Sequence, residues 1–313
     1  MKILIDQTLA GLTVKKVVFD HLHFSRGAVS AMKKRPDGIL VNGEHKTVRW
    51  VLREGDELSL KLEDDTSSEK ITPSPGELDI LYEDNAFLAV NKPPHMAVHP
   101  SKKLQDDTLA GRVLYHRAPM VFRVAGRLDR DTSGVVLCAK NRVVSGAFYE
   151  MILHHGIRKE YLLLAQGERN IPAEGEISLC IRRCADSFMV RECFEADGTE
   201  KESETALTEY RLLAENGEYH LFLASPVTGR THQLRAHFSA VGLPIAGDTL
   251  YGTASPLIDR QALHALCLTF PHPETKKPLS VVAPPGEDFC RATAKCFGED
   301  FSWEAAWKNA RFS

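Results

Sequence analysis

The chain has 313 residues, 43% hydrophobic and 8% aromatic, enough for two domains and a large core in one of them. No run of about 18 apolar residues occurs, which excludes a transmembrane helix. The net charge is −3, but residues 1–62 carry 11 Lys+Arg against 7 Asp+Glu, so a +4 stretch precedes a −7 remainder and would focus any polyanion at one end.

The N-terminal MKILIDQTLAGL carries Asp6 and lacks an apolar stretch ahead of a cleavage site, so no signal peptide is expected. Seven cysteines without repeated spacing point to free thiols in a reducing cytoplasm. In GLTVKKVVFDHLHF the apolar positions Val14, Val17, Val18 and Leu22 have helical spacing. Ser25 is the expected N-cap of a second helix, SRGAVSAMKKR, which gathers Arg26, Lys33 and Lys34. GILVNG and VRWVLREGDELSLKL read as short strands separated by turn residues. These elements make a basic module over 1–62. The polar, Pro- and Gly-bearing EDDTSSEKITPSPG, 63–76, reads as a linker.

A larger body is expected over 77–290. LDILYEDNAFLAVNKPP reads as strand, turn, strand, ended by its prolines. DDTLAGRVLYHRAP is a short helix opened by Asp107, GVVLCAK a buried strand, and NRVVSGAFYEMILHHG a helix ending at Gly156. RKEYLLLAQG, GEISLCIRR and ALTEYRLLAENGEYHLFLAS are strands, the last a hairpin about Asn216-Gly217. RTHQLRAHFSAVG is a helix stopped by Gly242, LHALCLTF a further strand, and 291–313 a helical tail with Trp303 and Trp307 at i, i+4, expected to cover the body. Strands outnumber helices and hairpins are frequent. The expected class is therefore α+β, with a mixed, largely antiparallel central sheet and flanking helices.

Chemistry concentrates in AGRLDRDTSG, 125–134. Arg127 and Asp129 share a face of an extended segment. Asp129 reads either as half of a structural ion pair or as an ionised carboxylate able to act as nucleophile or base. Asp131, followed by Thr132, Ser133 and Gly134, reads as an Asx-turn residue accepting backbone N–H groups. Gly134 marks a close approach or a backbone that other residues resist. In SPVTGRTHQLRAH, an arginine at a helix start, Arg230, opposes the helix dipole and needs an anionic partner elsewhere. Tyr161 lies beside Lys159 on a strand face. It reads as a core tyrosine or as a base-stacking ring with a phosphate-steering neighbour.

Metal signals are weak: Cys180 and Cys184 lie about 13 Å apart along a strand, and His232 and His237 do not share a helix face. Neither a phosphate-binding glycine pattern nor a G-x-S-x-G elbow appears.

The ordered set YEDNAFLAVNKPPHMAVHPS, GRLDRDTSG, RKEY, TGRTHQLRAH, LPIAGDTLYG and LHALCLTFPHP, spanning about 78–288, resembles the RluA-type pseudouridine synthases. Residues 12–62, with KKRPDGILVNG and REGDEL, resemble the small α-L RNA-binding domain of ribosomal small-subunit protein four. The resemblance implies conversion of RNA uridine to its carbon-linked isomer, most often in large-subunit ribosomal RNA, with transfer RNA an open alternative. It implies Asp129 as the catalytic aspartate, Arg230 as the arginine paired with it, Tyr161 as the tyrosine stacked on the flipped base, and Arg127 as the arginine that enters the RNA stack. Arg130, Lys159 and Lys92, with Arg26, Lys33, Lys34 and Arg35 on the module, are the further expected RNA contacts. Gly126 stands where the family commonly has histidine. No cofactor, metal or membrane partner is implied, and a cytoplasmic monomer is expected. The same motifs would also serve a non-catalytic RNA-binding or RNA-folding protein, and Asp129 with Asp131 suggests a hydrolase with paired carboxylates.

Overall fold

The computed structural model describes residues 2–22, 24, 26–61, 71–100, 107–117, 120–187, 189–196 and 203–310, the side chains of 26–28 excepted. Most of the expected linker, and Ser25, lie outside them.

The N-terminal residues close on their own core. Strand β1 (Lys2–Leu4), helix α1 (Val14–Lys16, continued as a π-turn to His21), helix α2 (Arg26–Lys33) and strands β2 (Ile39–Val41), β3 (Glu44–His45) and β4 (Glu57–Leu60) form a sheet of order β1-β4-β2-β3. Val14, Val17 and Val18 pack on Val29, Met32, Leu58 and Leu60, as the helical and alternating spacings require. Strand β1 was not legible in the sequence, and much of the expected strand at 48–56 is turn. Arg53 N–H there bonds the Asp56 carboxylate at 2.8 Å.

The body is built on one sheet of strands β5 (Ile80–Glu83), β6 (Phe87–Lys92), β7 (Val124–Ala125), β8 (Ser133–Ala139), β9 (Arg158–Gln166), β10 (Glu174–Arg183), β11 (Arg191–Phe194), β12 (Glu204–Glu215), β13 (Tyr219–Pro226), β14 (Leu263–Pro271) and β15 (Pro278–Val282). The order is β11-β10-β12-β13-β9-β14-β8-β6-β5, with β7 on β8 and β15 on β14. Its helices are α3 (Leu109–Arg117), α4 (Arg142–Leu153), α5 (Gln233–Ala240), α6 (Glu287–Phe297) and α7 (Trp303–Ala310).

Alternation decides which helix covers which face. On β6 and β8, Leu88, Val90, Val136 and Cys138 meet Val113 and Leu114 of α3. Phe87, Ala89, Val135 and Leu137, of opposite parity, meet Val144 and Phe148 of α4. Helix α5 sets Phe238 against Phe222 and Tyr210, and α7 seats Trp307 in the same core with Trp303 beside it. Helices α6 and α7 thus pack on the body.

One helix start and one end of the linker differ from the sequence reading. Thr108, not Asp107, caps α3, accepting Gly111 N–H at 3.2 Å, while Asp107 pairs with Arg112. Residues 71–76 are not free linker: Ser74 N–H bonds the Gly111 carbonyl at 3.1 Å, and His116 Nε2 lies 2.7 Å from the Gly76 carbonyl.

Among the described residues all strand pairings are antiparallel except β8 with β14, which run parallel at Ser133↔His264 and Gly134↔Ala265. Gly134 has φ 117°, and a Cβ there would stand 2.2 Å from the Ala265 carbonyl oxygen. Only glycine lets the two strands approach, and this contact delivers the preceding loop to the sheet centre.

Candidate active site

The loop 125–133 crosses the end of the sheet and is fastened from beneath. Lys92 is fully buried, and its Nζ donates to the carbonyls of Pro93, Met96 and Arg130 at 2.7, 2.9 and 2.9 Å. Arg260, 2% exposed, donates to the Asp131 carbonyl at 3.1 Å and the Ser133 hydroxyl at 3.3 Å, and is itself held by Asp288 at 2.7 Å. Ser133 then bonds His264 Nδ1 at 2.9 Å, and His264 Nε2 bonds the Ala283 carbonyl at 2.8 Å. With Arg260 donating to Ser133 and Ser133 to Nδ1, the proton of a neutral His264 sits on Nε2. Two buried cations thus satisfy the carbonyls that a charged loop would otherwise leave unpaired.

Above this support lies a cavity of about 200 Å³. Asp129, Tyr161, Lys159, Arg127, Arg230, His232 and Arg235 line it, with Leu128, Ile152, Ile157 and Leu268 as apolar wall. Asp129 Oδ2 receives a hydrogen bond from Arg235 at 3.0 Å. Arg235 is in turn gripped by both oxygens of Asp248, Nε at 2.6 Å and the second terminal nitrogen at 2.8 Å. The Asp248 side chain is 0% exposed and also accepts Leu250 N–H at 3.0 Å. Burial opposes the charge on Arg235, but the hydrogen bonds and charge of Asp248, then of Asp129, outweigh it and hold the guanidinium protonated. One arginine is therefore locked from behind and offers its remaining nitrogen to Asp129.

This corrects the pairing expected for Arg230. Its guanidinium turns to Glu204 and the Thr205 carbonyl, away from Asp129. The reason is where α5 begins. Gln233 Oε1 accepts Thr228 Oγ1–H at 2.8 Å and Arg230 N–H at 3.0 Å, and its Nε2 donates to the Leu207 carbonyl at 2.9 Å. That brace keeps 228–232 as a loop, so the helix starts at Gln233 and projects Arg235, not Arg230, toward Asp129.

Two further expectations need correcting. Lys92 is no RNA contact: it is sealed beneath the loop, and burial first, then the charge of Arg260, lowers its pKa to about 7. Asp131 is no Asx-turn acceptor. Its carboxylate takes the Arg130 guanidinium at 2.9 and 3.0 Å and faces His95 at 3.1 Å, while the turn itself is closed by Thr132 N–H to the Asp129 carbonyl at 3.2 Å. These ties also turn Asp131 away from pairing with Asp129 as a hydrolase would need.

Tyr161, Lys159 and Arg127 all line the cavity, whereas Arg130, an expected RNA contact, is paired with Asp131. The Tyr161 ring forms part of the cavity wall, and burial, then the Asp129 charge, pushes its hydroxyl pKa up. Lys159 sits beside it, half-buried, its ammonium pKa lowered by burial, with no hydrogen-bond partner among the described residues. Arg127 is exposed at the rim, likewise without a partner among them. Gly126 has φ 84° and open space where a Cβ would point, so a histidine there would meet backbone strain, not a clash. On the module, Lys33 and Lys34 are exposed, Arg35 bonds Asp37 at 3.2 Å, and the Arg26 side chain lies outside the described residues. Among the described residues no His/Cys/Asp/Glu group is placed to hold a metal ion, and no helix is long and apolar enough to cross a membrane.

Asp248, Tyr251 and Arg260 were not singled out from the sequence, and His232 was weighed there only as a metal ligand. Arg235 carried one usable signal: none of its i±3 and i±4 neighbours, Thr231, His232, Phe238 and Ser239, is acidic, so a buried helical arginine there needs a distant carboxylate.

A mixed, largely antiparallel sheet of this kind agrees with what comparison finds. The family model described as RNA pseudouridylate synthase matches residues 86–240. The Bacillus subtilis protein named uncharacterized RNA pseudouridine synthase YjbO is 34% identical over 284 residues, covering 90% of this chain and 98% of the relative. Ribosomal large subunit pseudouridine synthase D of Xylella fastidiosa is 34% identical over 291 residues, covering 87% and 84%. Among solved structures, human RNA pseudouridylate synthase domain containing 1 superposes with a TM-score of 0.57 at 30% identity, covering 68% of this chain and 86% of that one. The chain belongs to the RluA-type RNA pseudouridine synthases. Its reaction class is therefore isomerisation of uridine in RNA.

Proposed function

We propose that this synthase modifies uridine in large-subunit ribosomal RNA in the cytoplasm, as a monomer, with Asp129 as its essential carboxylate. The observation that carries the assignment of Asp129 is the Asp248–Arg235–Asp129 chain. Arg235, gripped by both oxygens of Asp248, has one nitrogen left to donate to Asp129 Oδ2, so the carboxylate is fixed in the cavity where a nucleophile or base must stand. Isomerisation breaks the bond from C1′ to N1 and makes one from C1′ to C5; C5 loses a proton and N1 gains one. Electrons balance without oxidant, reductant or water.

The other lining residues take complementary parts. A uridine must leave its stack to reach Asp129, at a cost of a few kcal/mol. Arg127, unpartnered at the rim, fills the vacated space. The Tyr161 ring stacks on the entering base, a contact worth about 1–3 kcal/mol. Lys159, half-buried and without a hydrogen-bond partner among the described residues, draws in a phosphate. Arg235 takes the role expected of Arg230, and Arg230 with Glu204 shapes the entrance. Residues 1–62 serve as the RNA-gripping module. The ribosomal target is supported by relatives named for it and by the basic module.

The test is genetic and chemical together. In a strain lacking the protein, pseudouridine sites in ribosomal and transfer RNA are mapped by adduct stops in reverse transcription. Sites in large-subunit RNA should vanish, return with the wild-type chain and stay absent with Asp129→Asn. Restoration by Asp129→Asn would remove Asp129 from the chemistry, and loss confined to transfer RNA would overturn the target.

A further inference from the structure

A helix N-cap residue ordinarily turns its side chain back onto its own first turn. His232 is the N-cap of α5, in the left-handed backbone region at φ 57°, and makes no such bond. A non-glycine residue held there is constrained by its surroundings, a condition that concentrates at functional sites.

The ring is spent elsewhere. His232 Nδ1 lies 3.0 Å from Tyr251 Oη. That oxygen already accepts the backbone N–H of Arg191, at 2.8 Å, so its own hydrogen is left to donate to Nδ1. A ring nitrogen that accepts carries no proton, so the imidazole proton sits on Nε2. Nε2 faces Asp129 Oδ2 at 3.7 Å. That is too long for a hydrogen bond, but catalytic bonds are often long before substrate closes the site. The two rings meet edge to face at 5.7 Å, and the Arg235 guanidinium lies over Tyr251 at 5.1 Å.

We propose that Arg191 N–H, Tyr251 and His232 form a relay that fixes His232 as the Nε2–H tautomer aimed at Asp129, making His232 a positioning residue for that carboxylate. The proposal rests on Asp129 being the essential group. When substrate fills the cavity, Nε2–H closes on Oδ2 beside the Arg235 bond, and the carboxylate is held from two sides.

The surroundings of His232 also disfavour an imidazolium, burial first of all. Burial, Arg235 and Arg191 disfavour its charge; Asp129 and Asp248 favour it; the balance lies below the usual histidine pKa. Removing the Tyr251 hydroxyl frees Nδ1 to take a proton at higher pH. An imidazolium beside Asp129 would sequester the carboxylate in an ion pair, whatever step that carboxylate performs.

The experiment measures tritium release from [5-³H]uridine-labelled large-subunit ribosomal RNA of a strain lacking the protein, as a function of pH. Tyr251→Phe keeps the ring under Arg235 and removes only the hydroxyl. Its acid limb in kcat should move up by about one pH unit, with KM within twofold. His232→Gln should lower kcat by about tenfold to a hundredfold without that shift. The double variant should regain the wild-type acid limb, a rescue that general destabilisation would not produce. An unshifted limb in Tyr251→Phe, or a shift persisting in the double variant, overturns the relay. Asp129→Asn run in parallel separates the two readings: release by that variant overturns the role of Asp129 itself.

Discussion

The molecule carries two concentrations of positive charge built on opposite plans. Beneath and around the cavity, Lys92, Arg235 and Arg260 are buried, and each is bonded at fixed distances to carboxylates or carbonyls. On the N-terminal module, Lys33 and Lys34 are exposed and have no partner among the described residues. The first arrangement orients groups before substrate arrives, in surroundings where a charge is strongly felt. The second is exposed, screened by salt and suited to attracting a polyanion without reading it. Arg127 belongs to the cavity loop but follows the second plan, as the insertion proposed for it requires.

The sharpest way to break this contrast is Arg235→Lys. Lysine keeps the charge but cannot grip both oxygens of Asp248 while reaching Asp129. Turnover should fall about 10²–10³-fold, the size of losing one preorganised donor, with RNA affinity within a few fold. Arg230→Lys should cost far less, since that residue pairs with Glu204 at the entrance. Equal losses in the two variants, measured by single-turnover isomerisation, would mean that the clamp is not what distinguishes them.

These two arginines also show where the sequence was legible and where it was not. Both stand in TGRTHQLRAH, and spacing could not choose between them. The choice is made by Gln233, whose side chain braces the loop and delays the helix, a tertiary effect invisible to periodicity. Lys92 was readable and was misread. In FLAVNK, alternation puts residues 88, 90 and 92 on one face, and Leu88 and Val90 face the core under α3, so Lys92 had to point inward as well. The central strands, the hairpin at Asn216-Gly217 and the helical tail were legible because each is a long apolar period or a turn with fixed chemistry. The short strands β1, β7 and β15 were not, being defined by their partners more than by their own residues.

A second prediction concerns pH. His264 beneath the loop and His237 in α5 are buried, and burial pulls both pKa values down to about 4. The unfolded chain takes up these protons near pH 6.5, the folded chain only near 4. Between those values the unfolded state binds more protons, so stability is full above the window and falls as pH drops through it, by about 3 kcal/mol per histidine at most. No histidine is buried in the N-terminal module among the described residues. The urea midpoint of the body should therefore drop between pH 6.5 and 4, while an N-terminal probe such as Trp50 fluorescence loses less. A flat midpoint across that range would show that neither histidine is held neutral.

The smallest effect expected is the most direct test of the exposed plan. Lys33→Gln with Lys34→Gln removes two exposed cations that have no carboxylate partner among the described residues. Counterion release predicts that the slope of log K against log salt becomes shallower by roughly two units, since each neutralised phosphate contributes about 0.9. At low salt, affinity for ribosomal RNA should weaken, while single-turnover rates at saturating enzyme stay as in the wild type, because the wired cavity is untouched. An unchanged slope would place the phosphate contacts on the body, leaving the half-buried Lys159 and the rim Arg127 as the first cations to replace. A changed single-turnover rate would mean that the module also sets how the uridine is presented to Asp129. The Val143 side chain of α4, which packs against the module core while Ile152 of the same helix lines the cavity, would then be the contact to alter next.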